Sequence, residues 1–321
     1  MKKFLRNIIW GLIGFLTRIR AISPIGIAKL KHLEMLHRWP DFRHPKDVNE
    51  KINWLKFNTD TSSWVSLSDK FAVRKFVELK GLGEHLVKLY GNWDDATKID
   101  WNSLPKQFII KPNNGSGDVL ICNDKSSLDT ALSTKYLATL LNKRYGLLSA
   151  EPHYAMIKPS LIAEELLNTS SQPCGSTSMV DYKIWCFSGT PAYVMCCSNR
   201  TKDTLELSVY DLDWNYHPEF VKITSHYIKP RQPIPRPVCF DEMLSIASIL
   251  SEGFPESRVD LYEVDGKVYF GEITFTSAGG FMNYYTDEFL RILGDKVQLP
   301  ERDSVFSTDS LNTDGRSIVK R

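Results

Sequence analysis

Apolar positions divide the chain into two regimes. From about Pro24 to Leu89 they recur at helical spacing, in KLKHLEMLHRW, VNEKINWLKFN and LSDKFAVRKFVEL, with few β-branched runs. Asp47 or Asn49 suits the N-cap of the second of these helices and Ser68 that of the third. Beyond Leu89 short apolar runs take over: HLVKLYGNW, QFIIKP, LIAEELL, DYKIWCFSG, AYVMCCS, ELSVYDLDW, RVDLYEVDG and KVYFGEITF read as strands. Helical periodicity returns near Leu128 to Tyr145 and Asp241 to Ser251. Strands and helices in mixed order, with tight hairpins, predict an α+β protein with antiparallel sheets. The segment IKPRQPIPRPVCF, with four prolines between Pro230 and Pro237, reads as an extended connector. The polar stretch after Leu299 reads as a tail without periodicity.

Length and composition narrow the class without naming a function. A chain of 321 residues, 42% hydrophobic and 24% charged, is large enough for two or three packed layers. Its 40 basic and 38 acidic residues give a formal net charge of +2, which argues against a nucleic-acid binder. None of the six cysteines forms a C-x-x-C pair, and Cys196 and Cys197 sit inside an apolar run, as core thiols of a reducing compartment do. We therefore expect a cytoplasmic protein. The opening MKKFLRNIIWGLIGFLTRIR is the exception to this ordinary composition. Its uncharged stretch from Asn7 to Thr17 is shorter than the ~20 residues a membrane span needs. Basic residues on both sides, with Trp10 in the apolar part, suit a helix lying on an anionic membrane surface. A docked first helix and an export signal are the alternatives.

Two stretches carry candidate chemistry. In FIIKPNNGSGDVLI, Phe108 to Ile121, a buried strand ends at Lys111 and runs into a loop of Asn, Gly and Ser. Such a loop exposes backbone N–H groups and can cradle an anion beside the lysine; a surface hairpin with a solvated lysine is the alternative. In RVDLYEVDGKVYFGEITFTSAGG, period two places Arg258 and Asp260 on one strand face. Asp265-Gly266 signals a hairpin turn, and the return strand brings Glu272 and Thr274 back on one face. Facing carboxylates repel unless a divalent cation or an arginine intervenes, and an oxygen-only set favours Mg²⁺ accompanied by phosphates. The alternative is a polar hairpin face in which Arg258 pairs with one acid. Between these stretches, LIAEELL ends in acids that strands usually turn to solvent. Upstream, Asp69, Lys70 and Arg74 read as a solvated helix face.

Taken in order, these pieces resemble the ATP-grasp superfamily, and more closely its TupA-like branch of bacterial polysaccharide gene clusters. The resemblance rests on HPKDVNEKINWLKF, SDKFAVRKFV, FIIKPNNGSGDV, DYKIWCFSGTPAYV, YDLDW and RVDLYEVDGKVYFGEIT, and runs from about Pro45 to Gly280. It implies two α+β lobes gripping ATP behind a helical N-terminal region. The divisions implied are a membrane-surface segment over 1–22, a helical region over 23–100, a nucleotide-binding lobe over 101–167, a metal and substrate lobe over 168–292, and a polar tail over 293–321.

The resemblance further implies that Lys70 and Lys111 contact ATP phosphates and that Asn113, Asn114, Gly115, Ser116 and Gly117 close over them. Glu164, Glu165 and the backbone near Leu166 would lie at adenine and ribose, and Lys183 is a further phosphate candidate with Arg200 behind it. Asp260 and Glu272 would hold Mg²⁺, and Lys111 and Arg258 would serve the transferring phosphoryl group. Thr274 stands where the superfamily usually has Asn, and a hydroxyl is the weaker metal ligand. The implied activity is an ATP-dependent carboxylate-amine ligase working through an acyl phosphate in capsule or O-antigen assembly, with the joining of an amino acid to a uronic acid at the inner membrane face as one form of it. A metal-dependent glycosyltransferase using Asp211-Leu212-Asp213 is the alternative. Lysines and Mg²⁺ suit phosphoryl transfer because its catalysis is mostly positioning and charge neutralisation; no general base stands out.

Overall fold

The computed structural model describes residues 22–115 and 117–301, together with Gly11. The basic N-terminal segment, Ser116 of the glycine loop and the tail from 302 lie outside the described residues. Among the described residues no helix is long and apolar enough to cross a membrane.

The N-terminal region is helical, as its periodicity predicts: Pro24–Leu36, Val48–Asn58, Ser62–Ser68 and Val73–Leu79. Asp47, not Asn49, caps the second helix, its carboxylate accepting the Glu50 N–H at 3.0 Å. Ser68 is not a cap. It ends the Ser62–Ser68 helix, and the helix Val73–Leu79 follows Ala72 with no side-chain cap; Asp69 accepts the Phe71 and Ala72 N–H groups of the intervening turn. The helix Val48–Asn58 is buried along almost its whole length. It packs on the last helix, Asp287–Lys296, and Lys51 donates to the Gly294 and Val297 carbonyls at that helix's C-terminal end. Thr286 caps the last helix and Phe289, Leu290 and Leu293 bury it, so it runs through residue 293, the expected start of the polar tail.

Two sheets follow. The smaller has the strand order β1-β4-β2-β3, formed by Leu89–Trp93, Leu161–Glu164, Phe108–Pro112 and Leu120–Cys122. One face of it, Phe108 and Ile110 with Leu161 and Ala163, packs with Leu137 and Leu140 of the helix Thr130–Leu141. The other face carries Ile109, Lys111, Ile162 and Glu164.

The larger sheet has the order β10-β9-β5-β6-β7-β8. It is antiparallel except for the parallel pair of β7, Leu205–Tyr210, with the two-residue β8, Tyr227–Ile228. Its centre is β5 (Asp181–Phe187), β6 (Thr190–Ser198) and β9 (Ser257–Val264), with β10 (Lys267–Thr274) at the edge. Period two separates its faces. Ile184, Cys186, Val194, Cys196, Val259 and Leu261 belong to a core shared with Met243, Ala247 and Leu250 of the helix Phe240–Ser251. Lys183, paired in register with Met195 and Asp260, lies on the opposite face. Both faces of β5 are therefore covered, and its sequence shows no clean alternation. The six cysteines are all free, and Cys186, Cys196 and Cys197 are buried with thiols that burial pushes above their ordinary range.

Candidate active site

The strand β2 delivers Lys111 to the open face of the smaller sheet, and β4 delivers Glu164 beside it. Glu164 does not face solvent. It is buried, with Lys111 Nζ 2.7 Å from one carboxylate oxygen and Arg74 Nη1 3.1 Å from the other. Arg74 and Lys70, which the sequence suggests as a solvated face, both turn inward instead. Arg74 finds the buried Glu164 and Lys70 the half-buried Glu272 and Gly115 carbonyl, and a charge leaves water only when such a partner is at hand. Lys70 Nζ donates to the Gly115 carbonyl at 2.7 Å and lies 3.4 Å from Glu272 Oε2, so it ties the glycine loop to the larger sheet.

The loop is anchored at its first residue. Asn113 is buried; its amide N–H groups go to Asp69 and the Lys158 carbonyl, and its side-chain oxygen accepts the Ser160 N–H. The side chain is thus committed to holding the loop base. Asn114 is buried with an unpartnered Oδ1. Gly115, at φ 73°, lies against the Tyr145 ring, which a Cβ there would meet at 2.3 Å. Only glycine meets both demands. Tyr145 in turn donates its hydroxyl to Asp118, a carboxylate that also pairs with Lys143. Glu165 is exposed, its N–H bonded to the Lys88 carbonyl, and Leu166 beyond it is half-buried.

On the larger sheet, the hairpin turns at Asp265 and Gly266, both at positive φ, as Asp-Gly predicts. It sets Glu272 opposite Asp260 and Thr274 opposite Arg258, with a bulge at Gly271. Arg258 grips Asp260 with two parallel hydrogen bonds, Nε to Oδ1 at 2.7 Å and Nη2 to Oδ2 at 2.9 Å, and reaches Ser277 and Thr274 with its remaining donors. Lys183 bonds the same Asp260 and lies 3.6 Å from Asp181, to which Arg200 also pairs. Burial works against charge on Lys183, but Asp181 and Asp260 outweigh it and hold the ammonium protonated. Glu272 has Arg258 at 3.8 Å and the Thr274 hydroxyl at 3.2 Å. Burial alone would raise its carboxyl; Lys70, Lys183 and Arg258 hold it down at about 2.

The two sheets thus face one another across a slot lined by Lys70, Arg74, Lys111, Glu164 and Gly271, which adjoins a cleft of about 450 Å³. Every cation that a triphosphate would take (Lys70, Lys111, Lys183, Arg258) lies beside an acid (Glu272, Glu164, Asp181, Asp260). The donor set fits Mg-ATP in its chemistry: ammonium and guanidinium groups for phosphate, and carboxylate oxygens for a hard cation. Asp260 is enclosed by Arg258 and Lys183, whereas Glu272 opens on the cleft. The pair Asp211 and Asp213 lies elsewhere. Asp211 accepts both the backbone and side-chain N–H of Asn215 and contacts His217, the arrangement of a turn holding itself together.

Glu151, Tyr154 and Thr276 are among the cleft residues that escape sequence reasoning. Thr276 follows the hairpin in the quoted TFTSAGG, and Glu151 stands before Pro152 at the start of the helix Pro152–Met156; these are the available signals. Behind them Lys56 is buried, donating to the Gly279 carbonyl at 2.7 Å. Burial lowers its ordinary 10.5 to about 7, with Glu151 partly offsetting. Between those values the unfolded chain binds a proton the folded protein does not, so this group makes stability rise with pH across the window and fall as pH drops toward 7. Lys56→Met is therefore expected to remove about 2 kcal/mol of pH dependence between pH 7 and 9, read as the difference between wild-type and variant urea midpoints. Parallel pH profiles would contradict it.

No curated protein matches this chain. Among solved structures, the D-alanine–D-alanine ligase of Bacillus anthracis is similar at TM-score 0.42 and 14% identity, with 75% of this chain and 68% of that one covered. The ATP-grasp ligase PsnB with its minimal precursor gives 0.38 at 12% identity, covering 75% and 62%. The phosphoribosylamine–glycine ligase of Thermotoga maritima gives 0.40 at 12%, covering 72% and 58%. The profile of the TupA-like ATPgrasp family matches residues 50–298, most of the chain, and the protein belongs to that family, its two sheets forming the ATP-grasp fold.

Proposed function

We propose that the protein is an ATP-dependent carboxylate-amine ligase of bacterial surface polysaccharide assembly, with a uronic acid and an amino acid as the substrate classes to test first. The observation that carries the reading is the cluster of paired charges on the two sheets, with Lys70 and Lys111 lining the slot and Lys183, Arg258 and Glu272 lining the cleft beside it. In this reading Lys70 and Lys111 bind the phosphates, Lys183 and Arg258 steady the phosphoryl group in transfer, and the Asn113–Gly117 loop excludes water. Asp260 and Glu272 would hold Mg²⁺, which supplies neutralisation of phosphate charge when bound. Gly115, already tethered by Lys70, gives the loop a fixed point next to Glu272. The basic N-terminal segment would bring the enzyme to a membrane-linked acceptor.

The test is thermal shift with Mg-ATP against a panel of nucleotide sugars, since a ligand at about 100 times its Kd stabilises the native state by roughly 2.7 kcal/mol. Mg-ATP is expected to raise the melting temperature of wild type and of Asp213→Ala, and Lys111→Ala is expected to lose most of that shift. A shift with a nucleotide sugar alone would overturn the ligase reading.

A further inference from the structure

Two carboxylates line the cleft among the described residues, and their surroundings differ. Glu272 is hemmed by Lys70 and Arg258. Glu151, also in the lining, accepts the Thr276 hydroxyl on Oε1 and forms no ion pair with a described lysine or arginine. It is also rigidly placed. Its N–H bonds the Gly146 carbonyl at 2.8 Å, and its own carbonyl accepts the Tyr154 N–H at 3.1 Å. The turn closes only because Gly146 sits at φ 90°, where a Cβ would meet the Glu151 carbonyl oxygen at 2.3 Å.

The other titratable groups near this wall are poor proton acceptors for a molecule in the cleft. Burial, with Glu272 and Glu151, pushes the Tyr154 hydroxyl well above its ordinary range, so it keeps its proton. Lys183 is held charged by Asp181 and Asp260. Lys56 is turned to the Gly279 carbonyl and does not line the cleft. His153 is buried with neither ring nitrogen partnered, and does not line it either.

We propose, resting on the ligase reading, that Glu151 is the proton acceptor for the incoming amine. The substrate ammonium gives one proton to the Glu151 carboxylate. The freed nitrogen lone pair then attacks the acyl carbon of the acyl phosphate, and the C–O bond to the phosphoryl group breaks with its electron pair on the departing phosphate. That phosphate takes the second nitrogen proton. One ammonium, one acyl phosphate and one carboxylate thus become one amide, one hydrogen phosphate and one carboxylic acid. The Thr276 hydroxyl aims the carboxylate and leaves Oε2 without a protein hydrogen bond.

Hydroxylamine separates this role from a structural one, because near neutral pH it is already uncharged and intercepts an acyl phosphate without a base. Wild type and Glu151→Gln, which keeps the shape and an acceptor for Thr276, are compared with ATP, Mg²⁺ and free or nucleotide-linked glucuronate and galacturonate, using hydroxylamine or amino acids as the nucleophile. Amide formation by the variant is expected to fall about 100-fold or more relative to its hydroxamate formation, and raising the pH to deprotonate the amino acid should narrow the gap. Glu151→Asp, retaining a base, should recover part of the amide rate. Equal losses in both products, or no loss in either, would overturn the assignment. Absence of both products from wild type would overturn the ligase reading itself and this role with it.

Discussion

Replacing Glu272 by Gln is expected to lower Mg²⁺-dependent ATP turnover at least about 100-fold with the fold intact. The amide has the shape of the carboxylate and still accepts the Thr274 hydroxyl, so what is removed is charge. That charge is unusually secure. Burial opposes it, yet Lys70, Lys183 and Arg258 keep the group ionised down to about pH 2. Three cations surround this acid while it stays open to the cleft, and on the proposed reading it is there that a hard cation and a polyphosphate would meet. Without the anion Lys70 loses one of its two tethers and keeps only the Gly115 carbonyl. Turnover by phosphate release, with far-UV circular dichroism as the folding control, tests this. A variant within about threefold of wild type would remove Glu272 from the site.

The parts of this site legible in the sequence are those encoded locally. The strand ending in Lys111, the positive-φ glycines after it and the Asp-Gly hairpin are each fixed by neighbours in the chain. Period two across that hairpin is enough to set Arg258 beside Asp260 and Glu272 beside Thr274. The residues misread or missed are ones whose partners lie far away. Arg74 meets Glu164 across 90 positions, and Thr276 meets Glu151 across 125. Nothing local distinguishes such residues from a solvated helix face or a strand-end acid. Burial decides their chemistry, and burial is set by contacts between segments distant in the chain. The buried Lys56 shows the same limit: the helical spacing of VNEKINWLKFN gives no sign that nearly every residue in it is covered.

Arg258→Leu is expected to destabilise the protein by about 3 kcal/mol, with ATP turnover lost as well, because it leaves a buried carboxylate short of its principal partner. Arg258 and Asp260 are 7% and 1% exposed, and the guanidinium supplies both of the parallel bonds to that acid. Lys183 remains beside Asp260 after the change, which places the loss at the lower end of the usual range for breaking a buried pair. Two further variants separate charge from geometry. Arg258→Lys keeps a cation without the planar fork and should lose less stability while still losing turnover, since an ammonium cannot reproduce the two parallel bonds to Asp260 while also reaching Thr274 and Ser277. Adding Asp260→Asn to Arg258→Leu removes the stranded charge and should restore part of the urea midpoint but none of the activity. If the single variant unfolds at the wild-type urea concentration, the pair is not holding the sheet. If the double variant is less stable than Arg258→Leu, Asp260 owes its place to Lys183 instead, and the lysine becomes the residue around which this half of the site is built.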